Sequence, residues 1–280
     1  MLLSFLSSRS RTGDDGQPFR WRGEGVSRIE GLSDTVFGFA ITLLVVSLEV
    51  PKTSADLLET MLGIIPFIGS FTLLFALWRA QFEFFRRYGL EDKQTVRLTG
   101  MLLMGVLFAV YPVKFLFTFM LLTLPRAILA GQADSLKQVM PLERLPLVFG
   151  LYGVGVIWIG MVFNRLYAHA ARNGEQLGFT ELEMFDTDDK RRRWGMIAQL
   201  GFLIVLWCAA VLATGSHLHA RDSVFGAVYY GGVTVLVAFA IKRARLRRRL
   251  AGERRALVAR LCARDAAPEL VANAGAVPML

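Results

Sequence analysis

The sequence predicts an all-α integral membrane protein with six transmembrane helices and both termini in the cytosol. Three observations carry that prediction. The 280 residues are 54% hydrophobic with a mean hydropathy of +0.45, the profile of a polytopic membrane protein rather than a soluble domain. Their apolar residues gather into six runs long enough to cross a bilayer. When the connecting segments are assigned to alternate sides, only Lys52, Arg126, Lys137, Arg144 and Arg221 fall opposite the remaining basic residues. Such a bias puts the basic side in the cytosol, and an even number of spans returns the C-terminus there. The net charge of +9 therefore follows from topology, and no nucleic-acid partner is expected.

Residues 1–26 carry a short apolar patch, then Arg9, Arg11, Arg20 and Arg22, with Gly and Asp at 13–16. The patch precedes its charges and lacks a small-residue cleavage site, so the segment reads as a flexible cytosolic arm, not a signal peptide. The first span then runs from Ser27 to Pro51. Ser27 and Glu30 have the S-x-x-E spacing of a capping box. From there to Pro51 is about 23 residues, or roughly 35 Å of helix. At helical periodicity Thr35, Phe39, Leu43, Val46 and Val50 form one stripe, with Thr42 at its margin and Asp34 on roughly the opposite side. A carboxylate at that depth needs partners from neighbouring helices, because an unpaired intramembrane charge costs several kcal/mol.

The second span covers Leu57–Leu77, with a kink expected at Pro66, and ends on Trp78, which suits an interfacial aromatic anchor. The third, Thr99–Leu124, is interrupted by Pro112 and contains Lys114. That lysine reads either as a functional intramembrane charge or as one that snorkels to the surface. A loop with a short surface helix leads to the fourth span, Leu147–Phe163. Its Gly153-Val154-Gly155 is not a potassium filter, since no T-V-G-Y-G is present; glycine in a membrane helix permits close packing. Asn164–Arg193 reads as a long solvated loop whose acidic residues lack calcium-loop spacing.

The fifth and sixth spans are Trp194–Thr214 and Val224–Ile241, with His217 and His219 between them read as surface residues. In the tail Leu246, Leu250, Leu257 and Leu261 recur at helical intervals among dense arginines. An amphipathic helix on anionic lipid, a bundle of tails, or a plain stop-transfer flank all fit that pattern. Cys208 and Cys262 indicate no disulfide framework. The chain thus divides into an arm (1–26), a membrane domain (27–242) and a basic tail (243–280).

The stretch R-I-E-G-L-S-D followed by V-x-x-x-A-I-T-L-L-V, residues 28–34 and 36–45, resembles the first-helix signature R-x-x-x-F-S-D of the transmembrane protein 175 family. The resemblance implies a homotetrameric, potassium-selective channel of six-helix subunits, with the first helix lining the pore. It places Phe39, Leu43 and Val46 at the constriction, with Thr35 and Thr42 as polar pore-lining residues. It also implies a network of Arg28, Ser33 and Asp34 with Trp78 and Gln81 at the end of the second helix, where the family commonly has histidine. Leu32, Thr35 and Phe39 depart from the usual Phe, Gly and Ile or Leu.

The expectation is therefore a non-enzymatic potassium channel of a bacterial inner membrane, with potassium as the permeant ion and no cofactor or metal. The competing classes are a proton-coupled or other secondary transporter and a non-conducting scaffold. Apart from Lys114 and Asp34 the spans carry no titratable groups of the kind carriers place at the midplane. H-E-x-x-H and G-x-S-x-G, the marks of two enzyme classes, are both absent from the sequence.

Overall fold

A computed structural model describes residues 11–12, 18–23, 25–46, 51–125, 141, 144–215, 232, 234, 237–246 and 248–261. The chain order is α1 (Arg28–Val46), α2 (Ser54–Leu62), α3 (Ile64–Tyr88), α4 (Lys93–Thr118), a π-helical turn (Phe119–Thr123), α5 (Leu145–Arg172) and α6 (Glu181–Gly215). Residues 237–246 and 248–261 are also helical. Among the described residues, β-structure is limited to the antiparallel pairing of Arg11–Thr12 with Pro18–Phe19. Among the described residues, five helical stretches are long and apolar enough to cross a membrane: 28–46, 60–88, 93–123, 145–172 and 181–213. Most of the expected sixth span lies outside the described residues, as do Val50, His217, His219, Cys262 and the expected surface helix before α5.

Helix α1 begins where the capping signal puts it. The Ser27 hydroxyl accepts from the Glu30 amide at 3.1 Å, and the Ser27 carbonyl accepts from Gly31 at 2.9 Å. Its buried side, Glu30, Ser33, Phe37, Ala40 and Leu44, has the three- and four-residue spacing of one helix face. That face packs on α3 and α4; α4 in turn packs on α5, and α5 on α6. Phe37, Ala40 and Leu44 join Leu74, Phe84, Leu102, Val106 and Phe163 in one continuous core.

Helices α5 and α6 approach closely because glycines line their contact. A Cβ on Gly160 would lie 2.6 Å from the Ala198 amide nitrogen, and one on Gly201 would lie 2.6 Å from the Gly153 carbonyl. Gly153 thus serves the close packing expected of it, whereas Gly155 faces open space.

Five expectations are corrected. The second apolar run is not one helix kinked at Pro66: it breaks at Gly63, and Pro66 sits in the first turn of α3. A proline there forfeits no intrahelical bond. Helix α3 also continues past Leu77 to Tyr88, closed by left-handed Gly89 (φ 59°), whose N–H bonds the Phe85 carbonyl. Pro112 does not interrupt the third span but lies inside α4. Its own carbonyl accepts the Tyr152 hydroxyl at 2.6 Å, a contact that ties α4 to α5 beside the proline.

The segment from Asn164 to Arg193 is not a long loop, because α5 extends to Arg172 and α6 starts at Glu181. Its polar residues do not mark solvent: His169, Glu183, Thr187 and Asp189 are buried. Nor is the whole arm loose. The amides of Arg22 and Gly23 donate to the Arg86 carbonyl at 3.2 and 3.3 Å, and a Cβ on Gly23 would meet the Phe85 carbonyl at 2.7 Å.

Candidate functional site: the first helix and its foot

The side of α1 opposite its buried face is uncovered by any described residue. Thr35, Phe39, Thr42 and Val46 are all exposed, Phe39 by 57% and Val46 by 72%. At helical periodicity these four fall within one narrow sector, so Thr42 sits inside the open stripe rather than at its margin. Leu43 lies on the flank, half-buried against the core. The Thr35 and Thr42 hydroxyls donate to the Gly31 and Gly38 carbonyls at 2.9 and 3.0 Å. That leaves their oxygen lone pairs available and adds no charge to the stripe.

Below this stripe, two side chains of α3 hold the helix foot. The Trp78 indole donates to an Asp34 carboxylate oxygen at 2.7 Å. Gln81 donates through Nε2 to the Ser33 hydroxyl at 2.8 Å, and that hydroxyl donates in turn to the Ile29 carbonyl at 2.7 Å. The Trp78 ring is fixed between Phe75 and Phe82, with centroids 5.3 and 5.5 Å away. The structure therefore brings together Ser33, Asp34, Trp78 and Gln81. Arg28 stays exposed outside this group.

Sequence reasoning missed a fifth member. Glu30 is only 4% exposed and faces Arg86 across 3.7 Å. Arg86 also donates to the Gly23 carbonyl at 3.3 Å and lies 5.4 Å from the Phe82 ring centroid. The signal was present in the spacing: Glu30 precedes Ser33, Phe37, Ala40 and Leu44 on the buried stripe. Reading it only as part of a cap hid its second role.

The foot is connected onward to α6. Arg22 bridges Glu183 at 2.7 Å and donates to the Leu177 carbonyl at 2.9 Å. Glu83 of α3 pairs with Arg87 at 2.6 Å and with Lys190 of α6. The Tyr88 and Thr187 hydroxyls share a hydrogen bond of 3.0 Å. At the start of α4, Asp92 accepts from the Gln94 amide (3.0 Å), the Thr95 hydroxyl (2.6 Å) and His169 (2.9 Å). Partial burial pushes the Asp92 carboxyl upward, but bonds from Thr95, His169 and Gln94 outweigh it and hold the pKa down to about 2. Lys114 lies half-buried in α4. Among the described residues no three His, Cys, Asp or Glu side chains gather as a metal site would require.

The comparisons with known proteins concern these same elements. The profile of the endosomal/lysosomal potassium channel TMEM175 family matches residues 28–112, from the start of α1 to Pro112 of α4. A potassium channel of Marivirga tractuosa is 37% identical over 175 residues, 60% of this chain and 69% of that protein. One from Chamaesiphon minutus is 30% identical over 152 residues, 51% of this chain and 65% of that protein. A crystal structure of a variant of the potassium channel MtTMEM175, bound to a nanobody–MBP fusion, aligns with a TM-score of 0.68 at 28% identity. The alignment covers 81% of this chain and 97% of that one. The chain belongs to the TMEM175 family of potassium channels.

Proposed function

We propose that the chain conducts potassium as a homotetramer in a bacterial inner membrane, with four copies of α1 around the pore and both termini in the cytosol. One observation carries this reading: the stripe Thr35, Phe39, Thr42 and Val46 is left exposed by the described residues and bears no charge. Around a fourfold axis it forms successive rings. Phe39 and Val46 supply hydrophobic constrictions, Leu43 shapes them from the flank, Thr42 offers a hydroxyl ring between them, and Thr35 faces the cytosolic mouth.

An ion crossing an apolar ring loses water without gaining ligands, so the barrier depends on wetting and width. Potassium is more weakly hydrated than sodium and meets the lower barrier. The Ser33–Asp34–Trp78–Gln81 group holds each α1 at its foot, and Arg28, exposed beside it, completes the network when the subunits assemble. Transporter and scaffold readings both lack a supporting observation.

The test is ion flux from liposomes containing the purified protein, loaded with potassium or with sodium, comparing wild type with Leu43→Ala. The reading predicts faster potassium than sodium flux, and a changed ratio in the variant. Equal flux of both ions in wild type, unaltered by the substitution, contradicts it.

A further inference from the structure

The segment before α1 lies as a strap across two other helices. Arg22 donates through Nη1 and Nη2 to both Glu183 carboxylate oxygens, at 3.1 and 2.7 Å, and through Nε to the Leu177 carbonyl at 2.9 Å. Its guanidinium also stands 4.8 Å from the Phe179 ring centroid. The Arg20 amide adds a bond to Glu183 at 3.2 Å. The two ionic side chains are only 10% and 7% exposed, so salt screens the pair little. Glu183 stands three residues after Thr180, and each amide donates to the other's side chain, at 3.1 and 3.2 Å. That is the capping box that starts α6. The strap is therefore tied to the first turn of a membrane helix.

On α3, the Arg22 and Gly23 amides donate to the Arg86 carbonyl, and Arg86 returns a bond to the Gly23 carbonyl at 3.3 Å. The backbones meet closely: a Cβ on Gly89, the left-handed end of α3, would lie 3.0 Å from the Arg22 carbonyl. Arg86 is also the residue that faces Glu30 on the buried side of α1. Only four positions separate Gly23 from Ser27, the cap of α1, a reach of about 14 Å at most. The strap thus holds the foot of α1 from the side opposite the open stripe. Packing alone does not fix it there, since a cavity of about 160 Å³ lined by Arg22, Ser27, Glu30 and Phe85 opens between strap and helix.

From these contacts we infer that Arg22 is a positioning residue for conduction: its pairing with Glu183 keeps α1 drawn back from the pore axis, and releasing it closes the pore. This rests on the pore reading above and adds the part that sets how often the pore is open. Apolar rings facing water gain by meeting one another, and a narrowed ring sheds its water and blocks ions. Holding four such stripes apart needs an anchor behind each helix, and the strap is placed there. Arg22 precedes Thr35, the first member of the stripe, by thirteen residues, so its loss leaves the lining of an open pore unaltered.

The experiment takes the full-length protein in planar bilayers for single-channel recording, and in detergent for hydrogen exchange of the first turns of α1. Glu183→Gln keeps the acceptor that the capping box needs and removes the charge facing Arg22, so it tests the pair without unwinding α6. Coupling between separate sites commonly amounts to about five-fold or more. Arg22→Ala and Glu183→Gln are each expected to lower open probability at least about five-fold at unaltered unitary conductance, and to speed exchange at residues 30–34 by about the same factor. Combining them does no more than either alone, because both remove one interaction. Asn164→Ala, which removes a 2.8 Å bond between α5 and α6, leaves open probability unchanged. Exchange unaffected in both strap variants overturns the strap, whether or not the protein conducts. Unchanged or raised open probability in a conducting protein overturns the role in conduction, as does an altered unitary conductance with open probability preserved. Wild-type protein that never conducts counts against the channel reading, and the strap is then judged by exchange alone.

Discussion

At the scale of single residues, the foot of α1 is held by the α3 donors Trp78 and Gln81 alongside the Glu30–Arg86 ion pair. Trp78→Phe retains the ring between Phe75 and Phe82 but removes the donor to Asp34. Hydrogen bonds to charged groups contribute about 1.5–3 kcal/mol when well shielded. Asp34 is exposed, so solvent screening takes the value below that range: thermal unfolding in detergent should show a loss of about 1 kcal/mol. No change in unfolding would mean that Trp78 acts as an interfacial anchor alone.

Asp92 makes a second residue-scale prediction. Its folded pKa, about 2, lies below the ordinary 3.8, so its contribution to stability is complete above about pH 4 and is lost as pH falls through 2. Asp92→Ala should cost about 1 kcal/mol at neutral pH, the usual worth of an N-cap. The gap from wild type should close in acid, as followed by unfolding between pH 7 and pH 2. A gap that stays constant across that range would contradict the account.

At the scale of elements, the contact between α5 and α6 is limited by backbone approach. Gly160→Ala places a Cβ 2.6 Å from the Ala198 amide nitrogen and forces the helices apart, whereas Gly155→Ala meets nothing within 4 Å. Overpacking costs about 1–3 kcal/mol, so unfolding should detect the first substitution and leave the second neutral or slightly stabilising. Equal effects would remove the argument for tight packing.

This scale also shows what the sequence made legible. The start of α1 and the role of Gly153 could be read from local chemistry, and the spacing of Thr35, Phe39 and Val46 gave the open stripe. The helices within 164–193 could not be read, because burial of Glu183, Thr187 and Asp189 depends on partners distant in the chain. Arg22, Glu83 and Tyr88 lie on other elements altogether. Gly63 rather than Pro66 ended α2 for a related reason: proline is harmless in a first turn, and only the fold shows which turn it occupies. The foot network was partly legible. The motif pointed to Ser33 and Asp34, but the pairing of Glu30 with Arg86 required the cross-helix contact.

At the scale of the whole molecule, the described residues form a polar, cross-braced end and a long apolar body, and they leave one uncharged face of α1 uncovered. The bracing runs from the arm through Arg22 and Glu183 to α6, and through Glu83 and Lys190 to α3. It fixes the foot of α1, while the stripe above it is left exposed by the described residues. The open stripe is the property that a shared pore requires. The most direct test is single-channel recording in planar bilayers, comparing wild type with Phe39→Ala and with Phe108→Ala, an α4 substitution at a side chain 74% exposed. If the α1 stripe lines the pore, Phe39→Ala raises unitary conductance several-fold and weakens potassium preference, while Phe108→Ala leaves both unchanged. Unaltered conductance and selectivity in Phe39→Ala, from channels that open normally, would contradict the central claim.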